Sequence, residues 1–140
     1  CYVFGPEDGA PGEVFTGDTL FVGGCGRMFT RAPDVMWASL SRIASLPPET
    51  LVYCGHDYAL EDYEFAVTLE PGNTRVRERL QEIRALVEVG LPTVPSTVSL
   101  ERATNPFLRA GDPELKQVLG MDGALDVEVF AEMRRRKNRF

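Results

Sequence analysis

Apolar residues fall in short runs broken by glycine and proline up to about residue 59, and at helical spacing beyond it. Tyr2–Phe4 and Glu13–Thr16 are β-type runs around Gly-Pro-Glu-Asp-Gly-Ala-Pro-Gly, a dense turn signal, so they predict a hairpin with a long loop. Residues 17–33 mix four glycines with Leu20, Phe21, Val22 and Phe29, the pattern of a structured loop with room for a short strand at 20–22. Met36, Leu40, Ile43 and Ala44 predict a helix capped by Asp34, running to about Leu46 and ended by Pro47-Pro48. Trp37 on it reads as core or interdomain packing. Leu51–Cys54 is a short apolar strand stopped by Gly55.

From there the pattern is helical. Leu60–Leu69 predicts one helix, closed by Pro71-Gly72. Asn73 caps the next, in which Val76, Leu80, Ile83 and Val87 recur until Gly90. Residues 91–98 read as an extended connection, followed by a short helix from near Ser99 to the Asn105-Pro106 turn. Asp112-Pro113 opens another, ended by Gly120, and Asp126 is the expected cap of the last. The expected fold class is therefore α/β, with the end of an α/β domain (residues 1–59) joined to an all-helical domain (residues 60–140).

Composition narrows what such a chain can do. Its 140 residues, 44% hydrophobic and 26% charged, are enough for a globular core. A net charge of -6 argues against nucleic acid as a partner. No apolar run approaches the roughly 18 residues of a spanning helix, so no membrane partner is expected. Three cysteines cannot pair completely, which favours a reducing, cytoplasmic location. There is one histidine, His56, so no site needing two imidazoles can be built from these residues alone. The chain opens inside a strand pattern without an initiator methionine, and a fragment or processed product is expected.

Two segments share a layout. Val14-Phe15-Thr16-Gly17-Asp18 ends a β-run in glycine and an acid, and Leu51-Val52-Tyr53-Cys54-Gly55-His56 ends one in glycine and an imidazole. Ligands bind at strand ends in α/β sheets, glycine permits the sharp bend, and Asp and His both ligate zinc or iron. Spacing alone favours plainer roles, with Asp18 capping a turn and His56 a hydrogen-bonded surface imidazole. Cys25 and Cys54, beside glycines, read as small buried side chains. Gly23-Gly24-Cys25-Gly26 lacks the Lys-Ser/Thr of a phosphate loop.

Five motifs in one order change that weighting: Gly17-Asp18-Thr19-Leu20-Phe21, Gly24-Cys25-Gly26-Arg27, Tyr53-Cys54-Gly55-His56-Asp57-Tyr58, Glu70-Pro71-Gly72-Asn73 and Asn105-Pro106-Phe107-Leu108-Arg109. With the basic end from Arg134 to Phe140, the whole chain resembles glyoxalase II, the hydroxyacylglutathione hydrolases of the metallo-β-lactamase superfamily. The resemblance implies the second part of a metallo-β-lactamase-type αββα sandwich followed by an all-helical, glutathione-binding domain. It implies that Asp18 bridges two divalent metals, zinc first, with iron or manganese accepted by the same ligands, and that His56 binds the second. The implied reaction is hydrolysis of S-(2-hydroxyacyl)glutathione thioesters, such as S-D-lactoylglutathione, by a metal-bound hydroxide, as in methylglyoxal detoxification.

The same resemblance assigns substrate contacts. Arg27 would meet a carboxylate or backbone carbonyl of glutathione. Phe29 stands where many members carry tyrosine, so it can pack but cannot donate. Tyr58 matches a tyrosine that follows the ligand histidine. Arg134 and Lys137, three apart on one helix face, match the pair that holds the glycine carboxylate. The family's other ligands lie in a Thr-His-x-His-x-Asp-His segment and a later histidine, both N-terminal to the part matched here and absent from these residues. The metal site is thus incomplete in this chain, and a missing N-terminal segment or a partner chain would complete it. Little activity from the isolated chain is expected, and an exposed apolar sheet face. A persulfide dioxygenase-like enzyme and a non-catalytic glutathione-binding module are the alternatives.

Overall fold

A computed structural model describes residues 1–28 and 32–140. Strands β1 (Tyr2–Phe4) and β2 (Glu13–Gly17) form the expected antiparallel hairpin, with Tyr2 opposite Phe15 and Phe4 opposite Glu13. The glycine-rich loop that follows folds into a ribbon, β3 (Leu20–Phe21) against β4 (Gly24–Cys25). Helix α1 (Pro33–Ala44) crosses over to β5 (Leu51–Cys54), which lies parallel to β2. Such a connection needs a helix-length crossover, and α1 provides it. Helices α2 (Ala59–Leu69) and α3 (Thr74–Glu88) pack together, and β6 (Ser96–Thr97) pairs antiparallel with β5. Then come α4 (Val98–Thr104), a 3-10 turn (Pro106–Leu108), α5 (Pro113–Val118) and α6 (Asp126–Asn138). The described residues therefore form a mixed α/β fold with six helices and a four-stranded sheet of order β1-β2-β5-β6 beside the β3-β4 ribbon.

Alternation along β2 buries Val14 and Thr16 and leaves Phe15 outside. The inner face of the sheet meets α1, the 3-10 turn and α6 in one core that includes Leu40, Val52, Phe107, Phe130 and Met133. Trp37 packs against this core, its ring 6.0 Å from that of Phe130. A second core joins Val22 to α2 and α3 through Tyr63, Ala66, Val76 and Ile83. The outer face keeps its aromatic residues in solvent: Tyr2, Phe4 and Phe15 are exposed, with Phe15 stacked on Tyr53 at 5.1 Å. That is the expected apolar surface.

Three local expectations change. Asp34 lies in the first turn of α1 and does not cap it; Pro33 opens the helix, its missing N–H needing no cap. Asp126 does not cap α6, because its carboxylate accepts a bond from Lys116 Nζ at 2.8 Å while Glu128 accepts from the backbone N–H of Leu125. The connection at 91–98 is extended as expected but ends in β6, and Thr97 caps α4, which begins at Val98, one residue ahead of the anticipated start. Asn73 caps α3 as expected, accepting from Val76 N–H at 3.3 Å.

Candidate functional site

Parallel pairing places the carboxyl ends of β2 and β5 side by side, and each leads straight into a candidate residue. Gly17 takes φ +53°, in the left-handed region where a side chain would be strained, and so turns the chain out of β2 into Asp18. Gly55 bends the chain after β5, and its N–H donates to the Gly17 carbonyl at 2.9 Å, tying the two bends together. A Cβ on Gly55 would stand 3.1 Å from Asp18 Oδ1 and 3.2 Å from Gly17 O, and one on Gly26 would collide with the Asp18 carbonyl oxygen. The glycines thus make the space in which Asp18 turns toward His56. Asp18 Oδ1 and His56 Nδ1 are 2.8 Å apart, with about half of each side chain open to solvent. The His56 ring stacks on Tyr58 at 5.3 Å and meets the edge of Phe21 at 6.1 Å. Asp57 turns the other way and accepts from the Thr93 hydroxyl at 2.5 Å, which fastens the loop behind His56.

This pair lines a cleft of about 380 Å³ together with Arg27, Tyr58, Arg134 and Lys137. Every substrate residue expected from sequence, apart from Phe29, lines this one cavity; Phe29 lies outside the described residues. Arg134 is 4% exposed. Its Nη1 donates to the Cys25 carbonyl at 2.7 Å, Nε donates to Asn138, and the guanidinium lies 5.3 Å from the Phe107 ring centre. It therefore fastens the β3-β4 ribbon to α6 while facing the cleft. Lys137 Nζ lies against the paired rings of Phe65 and Phe140, 5.6 and 5.0 Å from their centres, and meets Glu61 at 2.8 Å and Asp62 at 3.3 Å.

Phe21, Glu61, Asp62 and Phe140 also line the cleft and were not singled out from sequence. Both acids stand in the first turn of α2, where an acid has an ordinary place beside the helix dipole. Asp62 is nearly buried, its Oδ2 has no hydrogen-bond partner among the described residues, and burial pushes its carboxyl up to about 6 against the pull of Lys137 and Arg134. The ribbon is held a second time from below. Asn105 Nδ2 donates to the Phe21 carbonyl at 3.3 Å, the Gly24 carbonyl at 3.0 Å and Glu101 at 2.9 Å, while Glu101 accepts from Gly23 N–H at 2.9 Å. Burial pushes the Cys25 thiol up to about 12, so it stays protonated and packs as a small apolar group.

Asp18 and His56 are both good ligands for a divalent cation, and their converging side chains fit part of a metal centre. Two donors do not make a complete one, and among the described residues no three His, Cys, Asp or Glu side chains are grouped to hold a metal ion. No helix among the described residues is long and apolar enough to cross a membrane.

Fold and cleft together define a mixed α/β chain in which a carboxylate–imidazole pair at adjoining strand ends faces buried cations suited to an anionic ligand. The hydroxyacylglutathione hydrolase C-terminus family matches residues 57–140, and the chain belongs to that family. It is 53% identical over 134 residues to the hydroxyacylglutathione hydrolase of Methylococcus capsulatus, covering 96% of this chain and 52% of that protein. To the proteins of the same name it is 51% identical over 129 residues in Chelativorans sp. (92% of this chain, 51% of that one) and 49% over 140 residues in Rhizobium meliloti (100% and 53%). The chain spans about half the length of the curated relatives it matches.

Proposed function

We propose that the protein carrying this chain hydrolyses S-(2-hydroxyacyl)glutathione thioesters, with S-D-lactoylglutathione as the test substrate, to glutathione and a 2-hydroxy acid. The observation that carries this reading is the convergence of Asp18, His56, Tyr58, Arg27, Arg134 and Lys137 on a single cleft. The names of the relatives and the family match over 57–140 favour it over a persulfide dioxygenase or a binding module without catalysis.

In this reading residues 1–59 are the second part of a metallo-β-lactamase-type αββα sandwich, and residues 60–140 are the helical glutathione-binding domain. The exposed aromatic face of β1 and β2 supports a covering layer from the rest of the protein. Asp18 and His56 would hold part of a centre of two divalent cations, zinc first and iron or manganese as alternatives. Such cations, when bound, lower the pKa of water and polarise a carbonyl. The chain's own residues then bind and orient. Lys137 and Arg134 take the glycine carboxylate of glutathione, Arg27 takes a carboxylate or backbone carbonyl, and the Tyr58 ring backs His56. The Asp18 carboxylate would supply two oxygens to the cations and negative charge to offset their repulsion. Free Cys25 and Cys54 support a reducing, cytoplasmic setting.

The test is thioester hydrolysis by the full-length protein, its Asp18→Asn variant and the isolated 140-residue chain. Asp18→Asn should lose more than about 100-fold in kcat, since loss of even an outer-shell partner of a metal ligand costs 10–100-fold. The isolated chain should be nearly inactive. Full activity in either overturns the assignment, as does oxygen consumption with glutathione persulfide in place of thioester cleavage.

A further inference from the structure

Lys137 is a fixed cation with a movable partner. Its side chain is 6% exposed, packed against the paired rings of Phe65 and Phe140 and bound at 3.3 Å by Asp62, whose side chain is 5% exposed. Glu61, the partner at 2.8 Å, has a side chain 66% exposed on the cleft side. The Lys137 bond and the nearby charges of Lys137, Arg27 and Arg134 hold the Glu61 carboxyl below its usual range, so it stays ionised at neutral pH. The carboxylate of Glu61 thus lies within the field of the three cations assigned above to an incoming anion.

We propose that Glu61 is an internal occupant of this anion seat. Its carboxylate fills the place that the substrate's carboxylate takes at Lys137, and it swings into solvent when substrate binds. The inference rests on the carboxylate-binding role given to Lys137 under the proposed function, and goes beyond it by making that seat self-blocked. Two features fit a displaceable occupant. An ion pair with an exposed partner is weak and yields readily to a competitor. Asp62 remains against Lys137 when Glu61 leaves, so the lysine keeps a counter-charge and its position. The seat would therefore favour ligands able to displace a carboxylate, meaning anions with further contacts along the cleft, over small stray anions.

The experiment compares KM of the full-length protein with that of Glu61→Gln and Glu61→Ala, using S-D-lactoylglutathione and the same thioester with its glycine carboxylate converted to the amide. Removing the competitor should lower KM for the carboxylate substrate by about 3- to 5-fold in both variants, the scale of an exposed ion pair. KM for the amide should not fall. An unchanged or raised KM for the carboxylate substrate overturns the proposal, since Glu61 would then be neutral or supportive toward binding. An equal fall for the amide also overturns it. Lys137→Met, measured alongside, separates this failure from that of the underlying reading: if it leaves KM for the carboxylate substrate unchanged, the seat itself is misassigned.

Discussion

Replacing Asp62 with asparagine should stabilise the protein at neutral pH and leave its stability in acid nearly unchanged. The side chain is 5% exposed, Oδ2 is unpartnered among the described residues, and burial raises the carboxyl from 3.8 to about 6. Lys137 and Arg134 from α6 favour its charge, Glu61 from α2 opposes it, and these are weaker together than the desolvation. Below about pH 4 the group is protonated in the folded and unfolded chains alike. Between about pH 4 and pH 6 the unfolded chain releases the proton while the folded chain keeps it. Each rise in pH through that window therefore favours unfolding, and the loss is complete above the folded-state value. A carboxyl raised from 3.8 to about 6, at ~1.4 kcal/mol per pH unit, gives up to about 3 kcal/mol at pH 7. Asparagine keeps the shape and resembles the neutral acid, so the variant should recover most of this. Urea unfolding of the full-length protein and its variant across that pH range tests the sign. The difference in stability should be near zero at the acid end and climb in the variant's favour toward pH 7. A difference that does not vary with pH, or a variant less stable at pH 7, refutes the reasoning.

Two further substitutions probe the framework. Arg109 forms a two-point pair with Glu70 at 2.6 and 3.1 Å and reaches Asp112 at 2.7 Å, with Arg109 10% and Glu70 5% exposed in their side chains. Arg109→Ala strands a buried carboxylate and should cost about 3–5 kcal/mol in urea unfolding, with Arg109→Lys recovering only part because lysine cannot make the fork. A loss below about 1 kcal/mol in Arg109→Ala would show that the pair contributes little. Asn105→Ala removes the donor shared by the Phe21 and Gly24 carbonyls, a loss of about 1–3 kcal/mol for each carbonyl left unpaired, while the Glu101 oxygen it also served keeps the Gly23 N–H. Because the ribbon leads to Arg27, KM for S-D-lactoylglutathione should rise more than kcat falls, and a variant that only melts earlier would reduce Asn105 to a structural role.

Elements whose signals are local were readable from sequence. Asn73 accepts from the N–H three residues on, and Val76, Leu80 and Ile83 share the buried face of α3, so cap and stripe are both written within a dozen residues. The β1–β2 hairpin likewise follows from alternation and a dense turn. Asp34 and Asp126 misled because an acid at a helix start has two equivalent uses, capping the N–H groups or lying in the first turn beside the dipole, and the choice depends on Pro33 in one case and Lys116 in the other. Strand β6 was hidden for a different reason. Its two residues carry no periodicity, and they become a strand only by pairing with Leu51 and Val52 more than forty positions earlier.

The same division runs through the site. Asp18 and His56 were legible because each follows a glycine at the end of a β-run, and parallel pairing of two such runs brings their ends together. Glu61 carries no such mark. As a first-turn acid on a helix it has an ordinary explanation, and nothing within its own segment distinguishes it from Glu114 on α5. Its character comes from Lys137, 76 positions later, and that lysine is itself fixed by two aromatic rings and by Asp62. A basic tail in a sequence reads as a solvated helix end because charge is ordinarily hydrated. Here the fold withdraws Arg134 and Lys137 from solvent, and an acid must then lie near them. The pairing of buried cation with exposed acid is thus a product of packing, and sequence shows only a first-turn acid on α2 and a basic run at the end of α6.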